Sequence, residues 1–290
     1  MHDNLIILAG GMSSRMKKPA ASDKVSAEVE KEANIKNKSL ISVGHESRPL
    51  MDYLLYNAKN AGYKNTYIVI NEKGGLFKEF YGKNTTDNNF KELNISYAIQ
   101  HIPENRTKPF GTADAVFQAL EQFPDLQSQQ FTVCNSDNLY SEKVLRKLRE
   151  TPHSNALISY NRDALEFSLE KILSFAIVNL DPENYLKNII EKPSAETADH
   201  YKDEFDKIRV SMNIFKLDGN LIYFYLKNCP INSTRKEKEL PTAILNMVKK
   251  NSNAMLGIPV SEHVPDLTSK EDIPILKAYL KKRYPNNLNW

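Results

Sequence analysis

The chain has 290 residues, enough for one large α/β domain or two small ones, and a formal charge of only +3 with Lys and Glu spread along it. That balance gives no footprint of a nucleic-acid binder, and no apolar run approaches a membrane span or a signal-peptide core, so neither nucleic acid nor membrane is expected as a partner. Two cysteines, Cys134 and Cys229, form neither a disulfide framework nor a zinc spacing; they suit a reducing compartment, and the expectation is a soluble, cytoplasmic chain.

The first predicted element is a buried strand, Leu5-Ile6-Ile7-Leu8, running into Ala9-Gly10-Gly11-Met12-Ser13-Ser14-Arg15-Met16. Glycines let the backbone turn sharply and bring N–H groups close to a ligand. Ser13 and Ser14 add donors, and Arg15 adds a planar cation matched to phosphate oxygens. A strand feeding such a loop is a phosphate site at the carboxyl edge of an α/β sheet, although the spacing is neither a dinucleotide fingerprint nor a P-loop. Residues 17–39 are polar and read as an excursion or lid with a helical turn near 27–33.

Structure is then expected at 40–43, followed by a helix with Met51, Leu54, Leu55 and Ala58 on one face, ended by Gly62. A strand at 67–70, a short helix at 76–81 and a polar loop at 83–89 lead to a strand at 95–99. Turn residues fill 103–109, a helix follows Gly111, and a strand at 131–134 ends in Asn135-Ser136-Asp137-Asn138. Alternating strands and helices predict a parallel sheet covered on both faces. Beyond it, 174–179 and 185–191 read as a hairpin around Asp181-Pro182-Glu183-Asn184. A strand at 208–217, helices near 221–226 and 240–249, a strand at 254–260 and a closing helix at 273–284 complete the reading. No linker interrupts it, so 1–290 is expected to be a single domain.

Five ordered segments carry a resemblance. Leu8-Ala9-Gly10-Gly11-Met12-Ser13-Ser14-Arg15-Met16 resembles the signature loop of the sugar-1-phosphate nucleotidyltransferases, L-A-[GA]-G-x-G-[ST]-R-[ML], with Ser13 in place of the third glycine. Lys38-Ser39-Leu40-Ile41-Ser42-Val43-Gly44 with Arg48-Pro49-Leu50 resembles the family's P-K-[AG]-L-[LI]-P-[VI]-G…[KR]-P-[LM], Asn37 replacing the proline. Gln100 and Gly111-Thr112-Ala113-Asp114-Ala115 resemble its base-recognition segment. Ser136-Asp137-Asn138-Leu139-Tyr140 resembles its metal-binding segment, and Glu191-Lys192-Pro193 with Val210-Ser211-Met212-Asn213 resembles its acceptor segments, Asn213 standing for a glycine.

The resemblance implies a Rossmann-like, GT-A-like three-layer α/β/α fold with a mostly parallel sheet and a smaller antiparallel acceptor-binding portion. Residues 1–150 would form the nucleotide half and 151–290 the sugar-phosphate half. It implies catalytic Arg15 and Lys38, and nucleotide contacts from Leu8, Ala9, Gly10, Gly11, Ser13, Ser14, Gln100, Gly111 and Thr112. Sugar-phosphate contacts would come from Asn138, Glu191, Lys192, Ser211 and Asn213, and Mg²⁺ would sit on Asp137 and Asp266. The substrates would be an NTP and a sugar 1-phosphate.

Other readings stay open at this point. Lys24 of Ser22-Asp23-Lys24 competes with Lys38, because molybdopterin-type enzymes carry D-K soon after the loop. Asp137 could cap the helix starting near Ser141, Thr112 could cap its own helix, Asp114 could compensate that helix's dipole, and Asp266 could cap a turn. A non-sugar acceptor, or a non-catalytic nucleotide sensor, would also fit the motifs.

Overall fold

The computed structural model describes residues 1–19, 26–191 and 193–290. Lys24 and Lys192, two residues singled out in the sequence, lie outside the described residues. β1 (Asn4–Leu8) is followed by α1 (Ala27–Ile35), α2 (Leu50–Asn60), β2 (Asn65–Asn71), α3 (Gly75–Tyr81), β3 (Asn88–Phe90) and β4 (Leu93–Gln100). Then come α4 (Thr112–Gln122), β5 (Gln130–Asn135), α5 (Glu142–Glu150), β6 (Ala156–Asn161), α6 (Leu169–Leu173), β7 (Ile177–Leu180) and β8 (Leu186–Ile190). α7 (Ala195–Asp199), β9 (Arg209–Asp218), α8 (Gly219–Lys227), α9 (Leu240–Lys250), β10 (Leu256–Val260) and α10 (Asp272–Arg283) complete the order.

The strands form one sheet in the order β10-β6-β9-β5-β1-β2-β4-β3, with the β7–β8 hairpin attached through β9. β5, β1, β2 and β4 run parallel, β3 is an antiparallel edge, and β9 runs antiparallel between β5 and β6. This is the Rossmann-like, mostly parallel sheet with a smaller antiparallel portion that the motifs imply. After β1 the chain builds outward through β2 and β4, then returns to β1's other side as β5. That reversal opens a crevice at the carboxyl ends of β1 and β5, the place where such sheets bind ligands.

Alternation along β1 splits the core into two layers. Leu5 and Ile7 pack with the apolar faces of α2, α5 and α10, while Ile6 packs with those of α4, α8 and α9. Each fully buried aliphatic side chain in these layers contributes about 1.5–3 kcal/mol relative to leaving it in water. Because both faces of β1 are covered, its sequence is a continuous apolar run rather than an alternating one.

The structure departs from the predicted elements at α1, β3 and β6, and the short helices α6 and α7 also have no counterpart in the sequence reading. The helical turn expected near 27–33 is the complete helix α1, capped by the Ser26 side chain. The polar loop at 83–89 ends in β3, which protects the edge of β4. β6 has no counterpart in the sequence reading; all six of its residues are buried, so it lacks the period-two pattern that marks a half-exposed strand.

Candidate active site

The loop leaving β1 is pinned from three sides. Ala9 N–H donates to Val69 O at 2.8 Å, and the Asn71 amide donates to Gly10 O at 3.3 Å. Asn37 Nδ2 donates to Ala9 O at 2.9 Å, while its Oδ1 accepts from the N–H and hydroxyl of Ser39. Asn37 therefore does more than replace a proline: it ties the short turn carrying Lys38 to the glycine loop. Ser13 lies in the left-handed region at φ 52 and its Oγ accepts from Lys38 N–H. A backbone that needs a glycine-like conformation explains why the family pattern has glycine there; this chain keeps the conformation and adds a hydroxyl.

At the end of β5, Ser136 N–H donates to Leu8 O, and Asp137 and Leu139 exchange backbone hydrogen bonds with Leu267 and Pro265. The bridge this makes sets Asn138 opposite Asp266. Asp137 is ion-paired with Lys38, and Asp266 with Lys171 at 2.9 Å; Lys171 also reaches Asp272 at 3.1 Å. The cap of α5 is Ser141, whose Oγ accepts from Val144 N–H, so the alternative placing Asp137 in that role is corrected. Asp272, not Asp266, receives the turn N–H groups of Thr268 and Ser269. Asp137 and Asp266 instead line one cavity with Arg15, Asn138, Ser211 and Asn213.

Two carboxylates converging on one cavity, each matched by a lysine, form an oxygen donor set suited to a hard divalent cation. No group of three or more His, Cys, Asp or Glu that could hold a metal occurs among the described residues. Beneath this site Cys134 is sealed in the core; burial, with Asp137 nearby, pushes its thiol well above the usual range and leaves it no nucleophile.

A second cavity, of about 410 Å³, lies between the glycine loop and the start of α4. Leu8, Ala9, Gly10, Gly11, Ser14, Arg15, Lys38, Gln100, Gly111, Thr112 and Asp137, all singled out in the sequence, line it. Gly111 has φ +107, and a Cβ there would lie 2.3 Å from Lys238 O, so only glycine fits. Thr112 does not cap α4: its hydroxyl accepts from Leu240 N–H at 2.9 Å and so caps α9. With Lys238 N–H donating to Phe110 O and Ala113 N–H to Lys238 O, residues 110–113 are laced to 238–240. Asp114 sits in the first turn of α4, as a dipole role requires, but buried and accepting from the Gln100 and Gln118 amides.

Of the residues expected to contact the sugar phosphate, Glu191, Ser211 and Asn213 line a neighbouring cavity with Arg235, Glu237 and Glu239, while Asn138 lines the cavity that holds Asp137 and Asp266. Asn213 has φ 55, again left-handed, and its side chain is the exposed one in a strand otherwise buried around it. Asparagine is the non-glycine residue that best tolerates this region. Arg235 and Lys171 were not signalled by the sequence. Arg235 spans Glu191 at 3.5 Å and Glu239 at 2.6 Å and lines the cavities on both sides of Asn213. Lys171 lies in the short helix α6 and Arg235 in a polar turn, and only the fold brings them to the cleft.

The family model for nucleotidyl transferases matches residues 5–259. Glucose-1-phosphate adenylyltransferase 1 of Vibrio vulnificus (strain CMCP6) is 24% identical over 213 residues, 73% of this chain and 49% of that protein. The bifunctional protein GlmU of Methanococcus vannielii is 24% identical over 235 residues, 81% of this chain and 48% of its own length. The chain thus spans about half the length of these curated relatives. Among solved structures, a UDP-glucose pyrophosphorylase complexed with UDP-glucose superposes with TM-score 0.69 at 16% identity, covering 98% of this chain and 100% of that one. At that identity the likeness establishes the fold.

Proposed function

The chain belongs to the nucleotidyl transferase family, and from that premise we propose that it makes an NDP-sugar and pyrophosphate from an NTP and a sugar 1-phosphate. A phosphate oxygen of the acceptor attacks the α-phosphorus, the bond from that phosphorus to the bridging β-phosphate oxygen breaks, and pyrophosphate leaves. The attacking oxygen is already anionic near neutral pH, so no general base is needed. The barrier lies in bringing two anions together and in charge building on pyrophosphate.

The observation that carries this reading is the convergence of the glycine loop, Arg15, the Lys38–Asp137 pair and Asp266 at the crevice between β1 and β5. Backbone N–H groups of Gly10 and Gly11, with Ser13 and Ser14, would cradle the triphosphate. Arg15 and Lys38 would neutralise it and hold it in line for attack. Asp137 and Asp266 would hold Mg²⁺, which when bound screens the phosphate charge. Gln100, Gly111 and Thr112 would border the base. Asn138, Glu191, Lys192, Ser211 and Asn213, joined by Arg235, would take the sugar phosphate. Residues 1–150 and 151–290 would act as the two halves of a single domain.

Ser13 and Asn213, which depart from the family's glycines, both keep left-handed backbone, so neither favours a non-catalytic sensor over an enzyme. No helix among the described residues is long and apolar enough to cross a membrane. The reverse reaction tests the proposal: NDP-sugars incubated with pyrophosphate and Mg²⁺ should return NTP. No NTP from any NDP-sugar, with folded protein, would overturn it.

A further inference from the structure

Gln100 has two amide N–H donors, and both are used inside the protein. Nε2 lies 3.0 Å from Gly111 O and 3.0 Å from Asp114 Oδ2. A carboxylate and a backbone carbonyl both only accept, so Asp114 and Gly111 O together hold the Nε2 end of the amide toward themselves. The same Oδ2 accepts from Gln118 Nε2 at 2.8 Å. Gln118 in turn accepts from His101 N–H and donates to His101 O, and Gln122 repeats this exchange with Ile99. Two glutamines one turn apart on α4 thereby stand in for a neighbouring strand on β4, holding the backbone on either side of Gln100.

What remains of Gln100 for the cavity is Oε1. It has no hydrogen-bond partner among the described residues and faces Gly10, where an added Cβ would come within 3.1 Å of it. We propose that Asp114 is a positioning residue for nucleobase selection. By taking up a Gln100 donor in a fixed orientation, it presents the base with an acceptor alone. The cavity then takes a base edge that offers an N–H at Oε1 and rejects one that offers a lone pair, because two facing acceptors leave both unpaired. This rests on the reading of the cavity as the base site.

The test is calorimetric titration of ATP, GTP, CTP, UTP and dTTP into the unaltered protein and into Asp114→Asn. Asparagine can turn its N–H₂ to Gln100, so a reversed, donating Gln100 is then opposed by Gly111 O alone rather than by two acceptors. The ratio of affinities between the preferred and the next nucleotide should then fall by about tenfold, mainly through tighter binding of the disfavoured ones. A purely structural role for Asp114 would weaken all five alike and leave the ratio in place. Asp114→Ser, whose hydroxyl both donates and accepts, should shift the ratio the same way and serves if the asparagine variant does not fold. An unchanged ratio in a folded variant would overturn the role of Asp114 alone. Binding of none of the five by the unaltered protein would overturn the base-site reading and this inference with it.

Discussion

Asn213 sits at φ 55 within a strand, and Gly111 at φ +107 against Lys238. The first position tolerates glycine and the second requires it. Asn213→Gly is expected to keep the unfolding free energy within about 0.5 kcal/mol, whereas Asn213→Val should cost about 1–3 kcal/mol, read by urea denaturation. Asp137→Asn, isosteric and next to Lys38, should leave the circular dichroism spectrum unchanged while lowering Mg²⁺-dependent turnover by about a hundredfold or more. Unchanged turnover would remove Asp137 from the mechanism. At this scale the sequence is most legible where a residue type answers a backbone demand, as at Gly111. It is least legible for Lys171 and Arg235, whose roles depend on carboxylates more than forty residues away along the chain or on cavity walls that the fold assembles. Gln100 is legible from its strand-end position, but its orientation depends on Asp114 and Gly111 O, and no local pattern reveals that pairing.

Among the elements, α9 borrows its cap from another part of the chain. Thr112→Val keeps the shape of the side chain but removes the acceptor for Leu240 N–H. The expected loss is about 1 kcal/mol of stability, measured by denaturant unfolding; no loss would show that the contact carries no energy. The segment before β1 supplies a pH dependence. Burial, reinforced by the charge of Lys216, lowers the His2 pKa from 6.5 to about 3. The unfolded chain takes up a proton below 6.5 that the folded chain refuses, so His2 makes stability fall as pH drops from 6.5 toward 3. His2→Gln should flatten the unfolding free energy over that window, and an unchanged slope would contradict the assignment. Helices with one apolar stripe were legible because their period is unambiguous. β6 and β3 were not: the first is buried on both sides, and the second is three residues long.

For the molecule as a whole, the crevice is where strand order reverses beside β1, and the lacing of residues 110–113 to 238–240 lies between the cavity at the glycine loop and the one around Glu191 and Asn213. Strand and helix order made the parallel sheet legible, but the insertion of antiparallel β9 between β5 and β6 was not, since it pairs segments distant in sequence. The chemistry proposed for this crevice is the joining of a nucleotide to a sugar 1-phosphate. Its most direct test is pyrophosphate release from a panel of NTPs and sugar 1-phosphates with Mg²⁺. Release should require both substrates and the metal, with an NDP-sugar formed in equal amount; no release from any pair, by folded protein that binds nucleotide, would rule this chemistry out.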